Sequence, residues 1–423
     1  MTDEGAPAGA SLLAGFRVIE CSMLGPGAVS TPLADLGADV IKVEPPSGDY
    51  IRQMSWPIIE GNSLLHLHIS RGKRSIVLDL ATEDGKTVFL ELVKTADAVI
   101  EAMRPGGLAR RGLGFDTLRQ VNPKIVMLTI SGYGMTGPYR DLPSHGIAYD
   151  AWGGTVEPES GPEAMPSIPD HTSIGITAGP LFGALGLLAA VIRARATGEG
   201  SYLEVAQSDA SAAFDWLRIE TARAYLRSPG EVTGNASDGY ERRPPGTGGM
   251  GDAVRYQFYA SADGHVLFMA SEQKFWKNFC SAVGREDLFA AKPGEKLASH
   301  ARGDLELRRE LAAIFATRTT AEWVAIGQRH DITISPVNTP QTIVADPQFA
   351  DRMPWQPASR LVADQLPFPV RVVGEQPPAA AAAAPAVGQH TTEILAEVLG
   401  YDAARIAALR NSGALGKLES PHA

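Results

Sequence analysis

The chain is poor in cysteine, with only Cys21 and Cys280 among 423 residues. Two thiols are too few for a disulfide framework and show no metal-site spacing, so a cytoplasmic protein in a reducing compartment, with no metal, is expected. It also lacks surplus positive charge. The 38 Lys and Arg stand against 48 Asp and Glu, a net charge of −10, whereas nucleic-acid binders neutralise phosphates with a basic surface. Nucleic acid is therefore not an expected partner. The opening MTDEGAPAGA lacks the basic, then apolar, then small-residue order of a secretory signal. One long uncharged stretch exists, residues 172–192, and it reaches the roughly 20 residues that span a bilayer. Gly175, Gly179, Gly183, Gly186 and Pro180 interrupt it and no aromatic belt flanks it. A buried core helix and no membrane association are expected, with Gly179 and Gly183 on one face where another backbone can come close.

What is present is ordinary globular composition, 44% hydrophobic and 20% charged. At about 150 residues per domain the length corresponds to two or three units. β-Branched runs at residues 17–20, 39–43, 75–78, 98–101, 125–130 and 202–205 alternate with helical patterns, the signature of βαβ units around a mostly parallel sheet. Val88, Phe89, Leu92 and Val93 mark one face of a helix over 85–96, and a second helix over 115–121 stops at Asn122-Pro123. Residues 209–226 read as one long helix, and 227–251 as a loop rich in Pro, Gly, Asn and Arg. Strands at 256–259 and 265–269 flank Ala262-Asp263-Gly264, a hairpin signal. Helices at 272–283, 305–316 and 320–329 complete a smaller α+β unit. The Pro- and Ala-rich 377–385 reads as a stiff connector, followed by short helices at 391–399 and 403–409.

Several motifs carry chemistry. Gly132-Tyr133-Gly134-Met135-Thr136-Gly137 follows a strand with dinucleotide-fingerprint spacing. That fingerprint needs a helix opening at its last glycine, and Pro138 and Asp141-Leu142-Pro143 follow instead. No nicotinamide is expected, and the loop reads as glycine-rich cover beside another ligand. His66 and His68 alternate as on one strand face, without an acidic or Cys neighbour, and read as surface or capping histidines. Cys21 reads as a small buried hydrophobe. Lys73-Arg74, Arg104 and Arg110-Arg111 gather at predicted strand ends, where α/β sheets bind ligands. This leaves a phosphate pocket and solvated surface charge as open readings. His145, in Ser144-His145-Gly146-Ile147-Ala148-Tyr149-Asp150, is either a general base near neutral pH or a hydrogen-bonded loop histidine.

Leu24-Gly25-Pro26-Gly27, the run from Pro32 to Pro46 (PLADLGADVIKVEPP), Gly48-Asp49 and Arg52 resemble the opening of class III CoA-transferases of the CaiB/BaiF type. That family includes formyl-CoA transferase and α-methylacyl-CoA racemase. The resemblance continues in order through KRSIVLDL from Lys73, ADAVIEAMRPG from Ala96, SGYGMTGP from Ser131, RATGEG from Arg195 and VGQHTTEIL from Val387, and spans residues 13–409. It implies an α/β fold: a Rossmann-like large domain with a parallel sheet, a smaller α+β domain, and an interlinked homodimer. The expected division is 1–226 for the large domain, 227–252 for a linker and glycine-rich loop, 253–370 for the small domain, and 371–423 for a connector and returning helices. It also implies acyl-CoA and a small carboxylic acid as substrates. By position Leu78, Met103, Arg104 and Arg110 resemble the family's CoA-contacting residues, the cations suiting nucleotide phosphates. Pro45, Ala81 and Ala102 stand where some transferases carry longer or polar contacts. Gly246, Gly248 and Gly249 resemble the mobile loop that closes over intermediates.

The sequence departs from the family at its nucleophile. Transferases use an aspartate at the start of the helix preceding Thr-Gly-x-Gly, which attacks the thioester. Counting back from Thr197-Gly198-Glu199-Gly200 reaches Gly175 or Ile176. The nearest carboxylate in sequence is Asp170, a substitute for that aspartate or, like Ser173, a helix cap. His145 falls on the histidine that the racemase branch uses for proton transfer. The first expectation is transfer of CoA from an acyl-CoA to a carboxylic acid. The alternatives are an acyl-CoA racemase or isomerase using His145, and a non-catalytic CoA-binding partner in a heteromer with a paralogue.

Overall fold

The computed structural model describes residues 11–102, 105–234, 242, 250–296, 298–375 and 382–416. Contacts divide the chain into one unit of Met1–Trp216 with Met353–Ala423 and another of Leu217–Arg352. The first unit is built on β1 (Arg17–Ser22), β2 (Asp39–Glu44), the ribbon β3 (Ile58–Ile59) and β4 (Asn62–Ser63), β5 (Lys73–Val77), β6 (Ala98–Ala102), β7 (Val126–Ser131), the ribbon β8 (Glu159–Ser160) and β9 (Pro166–Ser167), and β10 (Ser201–Ala206). Six of these strands form a parallel sheet in the order β10-β7-β6-β1-β2-β5. The chain starts in the middle, builds outward to β5, then returns to the other side of β1. This is the doubly wound order, and its reversal lies between β1 and β6.

Alternation along the strands fills both faces. Ile19, Ile41, Ile76, Val99 and Met127 face one core, and Val18, Val40, Ala98, Val126 and Leu128 face the other. Over the first face lie α3 (Glu83–Lys94) and α4 (Phe115–Val121). Thr82 caps α3 by accepting from Gly85 N–H at 3.0 Å, Glu83 and Asp84 favour the positive helix start, and Val88, Phe89, Leu92 and Val93 are buried. Each such side chain stabilises the fold by about 1.5–3 kcal/mol. Over the second face lie α1 (Thr31–Asp35) and α6 (Gly175–Thr197), with α2 (Leu64–Ile69), α5 (Ile147–Gly153) and α7 (Gln207–Phe214) completing the unit's first segment. α6 contains most of the uncharged stretch, residues 175–192. Its length and apolarity suffice to cross a membrane, yet half of its most apolar window is buried inside the protein. A Cβ on Gly183 would lie 3.2 Å from Leu128 and one on Gly179 3.0 Å from Gln207, so both glycines do admit close neighbours.

Toward the carboxyl ends of β1 and β2, and at the first residue of β5, one face of the sheet turns from apolar to charged. Glu20 is paired in register with Lys42, and Val40 with Lys73. Lys73 Nζ donates to Glu20 at 2.7 Å, and Lys42 Nζ donates to Glu20 at 3.2 Å and to Asp49 at 2.9 Å. Arg52 forks onto Glu44 at 2.9 and 3.1 Å. Three acids and three cations thus balance, with all but Arg52 fully sequestered. Burial opposes the Glu20 charge, but Lys73 and Lys42 overcome it and hold its carboxyl down at about 2. His66 belongs to this cluster, which corrects its reading as a surface or capping residue. It lies on α2, 1% exposed, not on a strand. Arg52 Nη1 lies 2.6 Å from its Nε2, which must therefore accept, leaving Nδ1 to donate to Ser70 Oγ at 3.2 Å. His68, on the same helix, faces Arg71 and is partly buried.

The single helix expected over 209–226 is two, α7 and α8 (Trp216–Ala224), because Asp215 between them takes φ −99° and ψ 33°, outside helical geometry. The second unit contains an antiparallel sheet of β11 (Tyr256–Ala260), β12 (His265–Met269) and β13 (Ile334–Pro336), with the expected hairpin closed by Ser261 N–H donating to Gly264 O. Its helices are α9 (Gln273–Ala282), α10 (Glu286–Ala291), α11 (Leu305–Phe315), α12 (Thr320–His330) and α13 (Pro347–Arg352). The first four of these enclose, with the sheet, a core dense in aromatics, with Phe268, Trp276, Phe279, Phe315 and Trp323 wholly buried.

After α14 (Ala358–Leu361), the chain's last segment closes the first unit. α15 (Thr391–Glu397) and α16 (Ala403–Asn411) bury Ile394, Leu395, Ile406 and Leu409 in the core beneath α3. β5 is an edge strand, whose outward amides need partners. Ser75 N–H donates to His390 Nδ1 at 3.1 Å and Val77 N–H to Thr391 Oγ1 at 3.2 Å, while His390 N–H donates to Ser75 O at 3.0 Å.

The buried imidazole gives the fold a pH signature. Burial, with Arg52 and Lys42 nearby, holds His66 down at about 3, below its ordinary 6.5. A depressed folded pKa means this stabilisation is complete above pH 6.5 and is lost as pH falls toward 3. Urea titrations should show unfolding free energy falling below pH 6.5 with a slope of up to about 1.4 kcal/mol per pH unit from this group. His66→Gln should be less stable at neutral pH but flatter across that window; an unchanged slope would refute the assignment.

Candidate functional site

In a doubly wound sheet, ligands bind outside the carboxyl ends of the strands near the reversal of strand order. A cavity of about 190 Å³ opens there. Cys21, Ser22 and Met23 line it from the end of β1, Val43, Glu44 and Pro45 from the end of β2, and Leu78 to Ala81 from the turn after β5, with Asp49 and Arg111 at its sides. It is smaller than the roughly 300 Å³ at which small-molecule pockets begin, so it fits one portion of an extended ligand. The charged cluster lies behind it and fixes its wall. Lys73 Nζ donates to Gly27 O at 2.7 Å, Lys42 Nζ to Ser22 O at 3.0 Å, and Ser30 Oγ to Glu20. These bonds hold the turn from Gly25 to Val29, which is entered through Leu24 at a φ of 61° that side chains rarely adopt. Burial pushes the Cys21 thiol well above its ordinary value, reinforced by Glu101 and Glu20, so it is no nucleophile.

Lys73 and Arg74 do not offer phosphate contacts. Lys73 is spent inside the cluster, and Arg74 is bound to Asp39 and Glu393. Leu78 lines the cavity. Arg110 is exposed on a short 3₁₀ turn, Ala109–Arg111, with Nη1 donating to Pro105 O at 2.7 Å. Glu101, buried, accepts from Leu108 N–H at 2.6 Å and thereby sets that turn. Arg111, which the sequence did not single out from its neighbour, is the cation that reaches the cavity wall. Met103, Arg104, Gly246, Gly248 and Gly249 lie outside the described residues. The loop of Gly132 and Gly137 opens no helix, and the next one, α5, begins at Ile147, which removes the geometry of a dinucleotide fingerprint.

His145 stands exposed just before α5, and Asp170 is exposed on a bend before α6. Neither Asp170 nor Ser173 caps α6. Its N-cap is Ile174, which makes no side-chain cap bond. The cap comes from another helix: Asp150, on α5, accepts from Gly175 N–H at 2.7 Å and from Ser211 Oγ at 3.0 Å, both through Oδ1. Its side chain is fully buried, and Oδ2 has no hydrogen-bond partner among the described residues. His171 Nε2 stands 3.5 Å from Oδ2, while its Nδ1 is 3.1 Å from Pro169 O. Sequence reading passed over Asp150 because nothing local links it to a glycine 25 residues away. Gly175 itself has no room for a side chain. A Cβ there would lie 2.7 Å from Tyr149 Cβ and 3.0 Å from Gln207 O. Ile176 packs toward Gly25 at the head of the turn after β1.

The sheet order and the crevice, with Arg111 on its wall, define an α/β protein whose cavity lies at the carboxyl edge of a doubly wound sheet. Residues 13–391 match CoA-transferase family III. The chain belongs to this family and moves CoA from an acyl-CoA to a carboxylic acid. It is 29% identical over 416 residues to the β subunit of succinyl-CoA–L-malate CoA-transferase of Chloroflexus aurantiacus, covering 94% of this chain and 97% of that one. It is 30% identical to succinyl-CoA:mesaconate CoA-transferase of Haloarcula hispanica, covering 90% and 95%. Among solved structures, a CaiB/BaiF family protein from Brucella suis superposes with a TM-score of 0.70 at 25% identity, covering 92% of this chain and all of the other. A hypothetical protein from Mycobacterium tuberculosis gives the same score at 26% identity, covering 90% and 98%.

The crowding at Gly175 is testable by size alone. Gly175→Ala should lower unfolding free energy by about 1–3 kcal/mol, the usual cost of overpacking, whereas an Ala tolerated without loss would show that the α5, α6 and α7 junction yields.

Proposed function

We propose that the chain transfers CoA from succinyl-CoA, or a donor of similar small dicarboxylic character, to a small carboxylic acid. The cavity at the ends of β1, β2 and β5, within this family's fold, carries the reading. Relatives named for succinyl-CoA support the donor. Leu78 and Arg110, together with Met103 and Arg104, serve the CoA moiety; His145 and Asp170 serve the acyl end. Gly246, Gly248 and Gly249 close over the intermediates and keep water out. We place the enzyme in the cytoplasm, which its two free, buried thiols support.

An interlinked pair of chains is also part of this reading. Leu181, Phe182, Leu185 and Ile192 are exposed on α6, and α8 buries none of its residues while exposing Trp216, Leu217 and Ile219. So much exposed apolar surface favours a protein partner. Sedimentation should give twice the chain mass; a monomer at micromolar concentration would remove the dimer.

The decisive assay incubates purified protein with succinyl-CoA and malate, mesaconate or glutarate, in deuterated water, and reads products by mass spectrometry. New acyl-CoA species are expected. Deuterium at the α-carbon without CoA exchange would replace transfer with isomerisation. Silence relieved only by adding a paralogous chain would make this a partner subunit. Arg110→Ala should raise KM for succinyl-CoA about tenfold with kcat little changed, and Asp170→Ala should lower kcat; full activity in the latter would take Asp170 out of the site.

A further inference from the structure

We propose that Asp150, not a residue of α6, is the carboxylate that becomes covalently acylated during CoA transfer. The inference rests on the reading of the chain as an active transferase and assigns the group that does its chemistry. Three observations converge at the start of α6. The helix begins with Gly175 and Ile176, neither of which can attack a thioester, and Gly175 is too crowded to carry a side chain. A carboxylate from α5 nevertheless stands there, bonded through Oδ1 to the first amide of a 23-residue helix and to Ser211. Its second oxygen is buried and has no hydrogen-bond partner among the described residues.

A buried carboxylate oxygen left without a donor is costly, and such oxygens in native proteins call for a reason. Here the two bonds on Oδ1 fix the orientation of the carboxyl group and leave Oδ2 as its nucleophilic atom. A carboxylate attacks as it stands and calls for no general base, unlike a hydroxyl nucleophile. His171 Nε2 faces Oδ2 from 3.5 Å, too far for a good hydrogen bond, and its ring is 20% exposed. It is carried by the irregular segment before α6, which makes it the door: displacement of this ring gives a thioester access to Oδ2.

The chemistry closes on itself. Oδ2 adds to the thioester carbonyl, the C–S bond breaks, and its electron pair leaves with CoA as the thiolate, giving an acyl-aspartyl anhydride. The thiolate attacks the Asp150 carbonyl carbon, forming an aspartyl-CoA thioester and releasing the donor acid as its carboxylate. The acceptor carboxylate then attacks this thioester, expelling the thiolate and forming a second anhydride. Attack of the thiolate on the acceptor's acyl carbon yields the new acyl-CoA and restores Asp150. No proton or electron is gained or lost overall.

Two measurements test it. The first incubates the wild-type full-length protein with succinyl-CoA, quenches it with hydroxylamine and maps the peptides by mass spectrometry. The hydroxamate is expected on Asp150; its appearance on Asp170 or any other carboxylate overturns the proposal. The second is Asp150→Asn, whose side-chain oxygen still accepts from Gly175 N–H and Ser211. It should melt near the wild-type temperature and bind succinyl-CoA with KM within about threefold, but lose at least about 10³-fold in kcat. A merely structural Asp150 predicts the opposite, an Asn variant with kcat within a few-fold of wild type. Wild type inactive with every donor and acceptor would refute the transferase reading itself, an outcome distinct from either of these.

Discussion

The first unit depends on one constraint: six charges are enclosed between the later halves of β1 and β2, the start of β5 and the turn after β2, and they must balance. Glu20, Glu44 and Asp49 are matched by Lys42, Lys73 and Arg52. Taking such groups out of water is expensive, and removing one partner from a buried pair typically costs about 3–5 kcal/mol. Hydrophobic residues would fill this volume more cheaply. What they would not do is donate to Ser22 O, by which Lys42 holds the wall of the cavity, and to Gly27 O, by which Lys73 holds the turn that follows β1. The charged interior is thus a positioning device, and the sheet, the turn after β1 and the ligand crevice are set by the same side chains.

Much of the architecture was legible in the sequence because its signals are local. The β-branched runs gave the six strands of the sheet, the apolar spacing of Val88, Phe89, Leu92 and Val93 gave α3, and the Asp263-Gly264 turn gave the hairpin. What local signals do not carry is pairing across the sheet. Lys73 sits next to Arg74 in a basic dipeptide that reads as either a phosphate contact or a solvated charge, yet its partner is 53 residues away. His66 was misread for the same reason: its neighbours in sequence say nothing of Arg52, which holds it. The break at Asp215 was invisible too, since a one-residue departure from helical φ and ψ leaves the apolar pattern almost intact.

The site divides along the same line. Leu78 lines the cavity, whereas counting back from Thr197 offers only a glycine and an isoleucine at the start of α6. In space the gap is occupied. α5 brings a carboxylate to the α6 start, and Tyr149 and Gln207 take the room a side chain at Gly175 would need. Position along the chain and position in the fold are different coordinates, and a carboxylate absent from the first turn of α6 still stands beside it in space.

The closing role of the last segment bears on how this protein is made. Ile394, Leu395, Ile406 and Leu409 complete a core whose other walls come from the first 130 residues, and His390 and Thr391 supply partners for the edge of β5. A chain emerging from the ribosome has the whole parallel sheet available long before that segment appears. Domains generally fold as units during synthesis, but this one has an open apolar face and an unpaired strand edge until residues 390–409 are made. Truncated products would carry that exposed surface permanently, and cellular quality control would meet them as aggregation-prone chains rather than as shortened enzymes.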